Sequence, residues 1–182
     1  MNSRTALYCA DIAVHPVLLV AAVVWTAPID PSEMPMWLAC FSIGVFAWTL
    51  AEYLMHRFAF HRLPIIYDLH KAHHDDPRAH LGSPFWIGVP LLAATLALLI
   101  SVGGRSAGGG TGTGLIAGYL WYLCLHHAIH HSRFTRSSYL RRAKRTHSRH
   151  HYSPVECNFG VTTRLWDRAF KTEFRQSETF AR

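Results

Sequence analysis

The sequence predicts an all-α integral membrane protein, with about four transmembrane helices and a histidine-rich helical cap, in a single domain of residues 1–182. Three observations lead there. Half of the 182 residues are apolar and only 16% are charged, which argues against a disordered chain and fits a water-soluble one poorly. The apolar residues gather into four runs. Histidine, at 14, outnumbers the 11 acids together, and a soluble core gives no reason for that. The length allows one domain.

The runs cover residues 12–27, 34–54, 85–102 and 115–129. A bilayer core of ~30 Å takes about 20 helical residues. The second run meets this. The first and third are slightly short and the fourth is weakest, so the last two are also compatible with a shallow re-entrant hairpin. Each run is apolar nearly all round, which disfavours a one-faced surface helix. Arg4 and the first run have the look of a signal peptide. Cleavage after Ala27 would put Trp25 where a small residue belongs, so the run reads as a retained span.

Basic residues set the orientation. The turn 28–35 holds Asp30 and Glu33 but no base, and 103–114 holds Arg105 alone. Arg57, Arg62, Lys71 and Arg78 separate the second and third runs, and 12 of the 18 Lys and Arg follow the fourth. The excess of bases on one side places both termini, segment 56–84 and segment 130–175 in the cytoplasm. The last two form the expected cap.

Several weaker patterns have plain readings. Gly103–Gly114 has the look of a phosphate loop but lacks the Lys-Ser/Thr ending and a preceding strand, so it reads as a flexible connector. Arg141-Arg-Ala-Lys-Arg145 reads as a headgroup-facing segment, with no nucleic-acid partner implied. Cys9, Cys40, Cys124 and Cys157 are too widely separated for a disulfide framework or a zinc knuckle.

The histidines form four groups: His56 and His61; His70, His73 and His74; His126, His127, His130 and His131; and His147, His150 and His151. All fall at or beyond the ends of runs predicted to face the cytoplasm. At about 100° per residue, each His-x-x-His-His is expected to aim three imidazoles at one point. Either His126/His130 or His127/His131 points inward. His56 and His61 lie roughly 140° apart on an ideal helix, so the helix is expected to end or unwind there. Glu52, a carboxylate inside the second run, is expected to meet a histidine N–H or the surroundings of a metal. His15 and His80 fit no spacing and read as bystanders. Eight to ten imidazoles exceed what one ion takes, so two metals follow. Iron with open positions can activate O₂ for attack on an unactivated C–H bond, which no side chain can do.

These residues resemble the fatty acid hydroxylase/sterol desaturase superfamily, whose members are membrane di-iron oxygenases. Glu52-Tyr-Leu-Met-His56 through His61, His70-Lys-Ala-His73-His74, and Gly118-Tyr-Leu-Trp-Tyr followed by His126-x-x-x-His130 are similar to its signatures. So is His147-Ser-Arg-His150-His151-Tyr, followed by Asn158-Phe-Gly160 and Trp166-Asp167, which is closest to the fatty acid 2-hydroxylase branch. The resemblance covers about residues 45–172. It implies two iron ions (zinc can take their place in purified protein) with O₂ as co-substrate. It implies His56, His61, His70, His73, His74, His126, His130, His147, His150 and His151 as metal ligands and catalytic residues, leaving His127 and His131 open. Asn158 and Asp167 become candidates for supporting the ligands or fixing a loop, with helix capping an equal alternative.

The expected activity is O₂-dependent hydroxylation of a membrane lipid, most simply a fatty acyl chain drawn from the bilayer; a carotenoid or sterol hydroxylase/desaturase is the alternative. Members acting on long-chain lipids often carry a fused b-type cytochrome with a His-Pro-Gly-Gly motif. Here Val17 and Leu18 follow His15-Pro16, so electrons are expected from a separate ferredoxin or b-type cytochrome, and the basic face suits an acidic donor. The short link from His61 to His70 is closer to carotenoid hydroxylases. Met55, Phe58 and Trp86 are candidates to line the lipid path or to anchor at the interface. The non-enzyme alternative, a metal transporter or sensor, would need ligands strung through the bilayer, and the first and third runs have no central charge.

Overall fold

The computed structural model describes residues 3–82, 85–133 and 137–174. Ser83, Pro84, Phe134–Arg136 and Arg175, which the sequence assigns to the cap, lie outside the described residues. Among the described residues, seven α-helices follow in order: α1 (Ser3–Thr26), α2 (Met34–Leu54), α3 (Pro64–Asp75), α4 (Phe85–Gly103), α5 (Gly110–His131), α6 (Ser138–Tyr152) and α7 (Leu165–Ala169). Two π-helical turns, Met55–Phe60 and Gly104–Gly109, extend α2 and join α4 to α5. No strand occurs among the described residues. The fold is all-α, as the runs predict.

Three helical stretches among the described residues are long and apolar enough to cross a membrane: Ser3–Thr26, Pro31–Phe60 and Phe85–His131. The third holds two of the four expected runs, and it doubles back. A Cβ on Gly108 would overlap the Leu99 carbonyl, and one on Gly112 would press on Leu96. The two arms therefore run side by side. Gly104, at φ +70°, makes the turn in a region that a Cβ disfavours. The flexible connector expected over Gly103–Gly114 is thus corrected: the segment is helical, and its glycines are where helices touch. A Cβ on Gly114 would overlap the Phe41 carbonyl of α2. In lipid, water drives no helices together, and such close backbone approach is what holds them.

The chain divides into two compact units. The first comprises residues 1–49 and 79–124. Its interior is small: Ala22, Leu96 and Ile116, with Leu18, Leu19, Leu92 and Ile100 against them. Trp37, Trp48 and Tyr119 are also buried, but many large apolar side chains point out, among them Val17, Val24, Ile43, Phe46, Leu91 and Val102. So many large apolar side chains facing outward is the pattern of helices bathed in lipid. Thr26 Oγ1 bonds Thr113 Oγ1 at 2.9 Å and accepts from Trp37 Nε1 at 3.1 Å. Each such bond contributes on the order of 0.6 kcal/mol in a membrane.

The second unit comprises residues 50–78 and 125–182. Pro64 stands in the first turn of α3, where its missing N–H costs nothing. Ser137 caps α6 by accepting from Leu140 N at 3.2 Å. α6 is sharply two-faced: Arg141, Arg142, Arg145 and Arg149 are exposed, while His147 and His150 are buried.

Candidate metal centre

All ten histidines implicated by the sequence lie in the second unit, and they separate into two groups of five. One holds His56, His61, His70, His74 and His150; the other holds His73, His126, His130, His147 and His151. Within each group the ligand atoms lie within 4.8 Å of one another. The expectation that each His-x-x-His-His serves one point is corrected. On a 3.6-residue helix, i+4 lies about 40° to one side of i and i+3 about 60° to the other. The motif therefore forks. α3 sends His70 and His74 to the first group and His73 to the second; α6 sends His147 and His151 to the second and His150 to the first.

The helix does unwind and end where the spacing of His56 and His61 predicts, with His61 in the turn that follows Phe60. The chain widens into a π turn over Met55–Phe60, which brings residues five apart onto one side. The two rings come to 5.3 Å between centroids. On α5, His126 and His130 belong to the second group, whereas His127 and His131 stack on each other at 4.7 Å outside both groups.

The donors suit cations. In the first group, His70 Nε2 lies 3.0–3.1 Å from the Nε2 atoms of His56, His61 and His74, and His150 Nε2 lies 3.1–3.2 Å from those of His74 and His61. In the second, His147 Nε2 is 3.0 Å from those of His130 and His151, and the His130–His126 separation is 3.3 Å. Nitrogens ~2.1 Å from a shared ion lie about 3.0 Å apart at right angles and about 3.4 Å apart at tetrahedral angles. The closest separations fall in the range that a shared ion would impose. Where both nitrogens carry lone pairs, they repel at this distance unless a proton or a metal ion sits between them. His73 is 7% exposed, and neither of its ring nitrogens has a hydrogen-bond partner, a costly state that a metal bond would relieve.

Two backbone carbonyls orient the rings. His56 Nδ1 donates to Phe159 O at 2.6 Å, and His150 Nδ1 donates to Cys157 O at 2.8 Å. With Nδ1 protonated, Nε2 keeps its lone pair for a metal. The loop bearing these carbonyls is itself held by buried polar groups. Asp167 accepts from Phe159 N (2.8 Å), Gly160 N (2.9 Å) and Thr172 Oγ1 (2.8 Å). Glu52 accepts from Val161 N (2.6 Å), Thr162 N (3.0 Å) and Thr162 Oγ1 (2.5 Å). Its three bonds go to the loop, where the sequence offered a histidine N–H or the surroundings of a metal. Asn158, at φ 54°, donates to Thr146 O and accepts from Phe174 N. The carbonyl anchors Cys157 and Phe159 escape sequence reasoning, because any residue type supplies a carbonyl.

Burial depresses the imidazole pKa values outside the spanning helices, and neighbouring histidines add to it at every one of them but His61. His70 falls to about 2, His150 to about 3, and His73 and His74 to about 4. His61, His147 and His151 shift the same way, burial leading each time. These rings are neutral at pH 7, as ligands must be. Unfolded, they take up protons below about 6.5, whereas folded they do so only in stronger acid. Stability of the metal-free protein is therefore complete above about pH 6.5 and is lost progressively as pH falls from there through 4 toward 2. Thermal midpoints of the chelator-treated protein across that window measure this.

Of the other sequence candidates, Phe58 is half exposed, with the Arg57 guanidinium 5.1 Å above its ring, and Trp86 of the first unit is 53% exposed. Met55 opens the π turn. His15 and His80 belong to the first unit and to neither group.

Paired five-histidine sites built at the ends of apolar helices define the class: a membrane protein with a metal-binding histidine cluster. Residues 41–172 match the family model described as fatty acid hydroxylase, and the chain belongs to that family. Human fatty acid 2-hydroxylase is 34% identical over 81% of this chain and 42% of its own length. The ceramide very long chain fatty acid hydroxylase SCS7 of Saccharomyces cerevisiae is 32% identical over 87% of this chain and 44% of its own. The dihydroceramide fatty acyl 2-hydroxylase FAH1 of Arabidopsis thaliana is 30% identical over 86% of this chain and 71% of its own. The first-ranked curated relatives are thus spanned over about two fifths of their length. A solved structure of full-length scs7p, in which only the hydroxylase domain is visible, matches with TM-score 0.72 and 28% identity, covering 96% of this chain and 67% of that one.

Proposed function

We propose that the chain hydroxylates the acyl chain of a membrane lipid with O₂, using two iron ions held by the ten histidines. The observation that carries this is the pair of five-imidazole sites. Relatives named for hydroxylation of fatty acids, ceramide and dihydroceramide acyl chains support the lipid class. Five close imidazoles exceed a closed tetrahedral zinc site and leave a sixth position on an iron. Bound there, iron would supply the O₂ chemistry that an unactivated C–H bond requires.

The chain's own part is orientation and exclusion of water. The Cys157 and Phe159 carbonyls hold two ligand rings in one tautomer. The Phe159 ring, 2% exposed, stands edge-on to His56, His61 and His150 and closes that side of the first group to water. A cavity of about 280 Å³, with Asp76, Arg78 and Lys144 on its wall, reaches His130 and His151 of the second group and offers a polar approach. Two electrons per turnover come from a separate ferredoxin or b-type cytochrome, and the exposed arginines of α6 suit an acidic donor. By the bias of basic residues, the helices cross the membrane several times and the histidines face the cytoplasm.

Lipid profiling of cells with and without the chain tests the reading. A hydroxylated acyl species that appears only with the chain and O₂ is expected. No oxygenated lipid, together with metal-ion flux across vesicles, would overturn it.

A further inference from the structure

The first unit buries a second polar group, which the histidine sites do not use. Asp11 and His15, one turn apart on α1, are 2% and 0% exposed. Neither Asp11 carboxylate oxygen nor His15 Nε2 has a hydrogen-bond partner. Their own approach, His15 Nδ1 to Asp11 Oδ1 at 3.7 Å, is too long for a bond, and that Nδ1 is occupied by the Asp11 carbonyl at 2.6 Å. With Nδ1 as donor, Nε2 is an acceptor. Three buried acceptor atoms thus face no donor, inside a helix that otherwise reads as lipid-facing. An ionisable residue left so within a membrane marks a site.

Glycines border the pair on two sides. A Cβ on Gly82 would come within 3.7 Å of Asp11 Oδ2. One on Gly88 of α4 would stand 3.7 Å from His15 Nε2 and 3.8 Å from the Tyr119 hydroxyl of α5, with nothing else within 4 Å. Both distances are ordinary contact, so the glycine is not forced by packing there; it leaves room between an acceptor and a hydroxyl. The His15 and Tyr119 rings lie 4.7 Å apart, tilted by 57°. Asp11 stands about 22 Å along α1 from Thr26, within the end third of a ~30 Å apolar layer.

We propose that Asp11, His15 and Tyr119 form a binding site for the hydrogen-bond-donating linkage of a lipid: a hydroxyl or amide N–H that Asp11 and His15 accept, beside a carbonyl to which the Tyr119 hydroxyl donates. An anionic lipid head is disfavoured, because the Asp11 carboxylate would repel it. The site itself stands on this geometry alone; that its lipid is also the substrate rests on the function proposed above.

Binding is read without turnover, by native mass spectrometry of the full chain. The probes are a long-chain N-acyl amino alcohol and the methyl ester of the same acyl chain, which has a carbonyl but no donor. The wild type is expected to bind the N-acyl amino alcohol about tenfold or more tightly than the ester, the scale of one hydrogen bond to a charged group. Gly88→Ala fills the gap without overlap and favours helix, so it should fold at least as well while losing that tenfold preference. Asp11→Asn should lose it too. In both variants, iron content stays at the wild-type value. Equal affinity of the wild type for the two probes, as expected if the pair holds only water, would overturn the proposal. So would an undiminished preference in Gly88→Ala. Absent hydroxylation with the preference intact would count against the proposed function and leave this site standing.

Discussion

Replacing His73 with alanine is expected to lower hydroxylated product at least roughly 10²-fold, beyond what disturbing a ligand's supporting partner costs. The metal-free protein should meanwhile remain as stable as the wild type. A buried histidine with a structural role normally loses hydrogen bonds when truncated. His73 has none to lose, since both of its ring nitrogens lack partners. Removing it takes away an unsatisfied polar group, which offsets the small cavity it leaves. The combination of lost product, lost metal and unimpaired apo stability separates a ligand from a packing residue. Product assays and thermal midpoints with and without chelator measure it. A destabilised apo protein that keeps its metal would contradict the assignment.

Asp167→Ala should have the largest effect on stability. The side chain is fully buried and accepts from Phe159 N, Gly160 N and Thr172 Oγ1. Truncation strands two buried amides and one hydroxyl, at a cost of roughly 3–5 kcal/mol in all. The damage should also be uneven. The loop's carbonyls orient His56 and His150, which both belong to the first five-histidine group. Metal should therefore leave that group first, under conditions where the second still holds its ion. Denaturant unfolding gives the stability change, and metal content at increasing chelator concentration gives the order of loss. Uniform release from both groups would deny the loop its orienting part.

Much of this was legible in the sequence. Hydropathy placed α2 at its observed bounds and α4 within a residue, because long apolar runs have few other solutions. The beginning of α1 was hidden by Asp11, a charge that hydropathy reads as an end but the fold buries. The ten histidines were visible from spacing and resemblance, yet their partition was not. A helical wheel read as one face missed that i+3 and i+4 diverge by about 100°. The π turn at Met55–Phe60 left no separate local signal; only the i, i+5 spacing hinted that an ordinary helix would fail. Glu52 was rightly suspected for being buried, but its partners lie more than a hundred residues away, in a loop whose path sequence does not give. The glycines of 103–114 suggested freedom when read alone; against Leu99, Leu96 and Phe41 they are points of closest approach.

The central claim is that distant stretches of chain build two separate sites of five imidazoles each. The metal-to-chain ratio of the full-length protein, purified from iron-supplemented cells, tests it most directly. The account requires about two ions, with zinc counted alongside iron, falling to about one in His61→Ala and likewise in His130→Ala. A ratio of one or less that reconstitution does not raise would contradict it, as would a ratio that neither substitution changes.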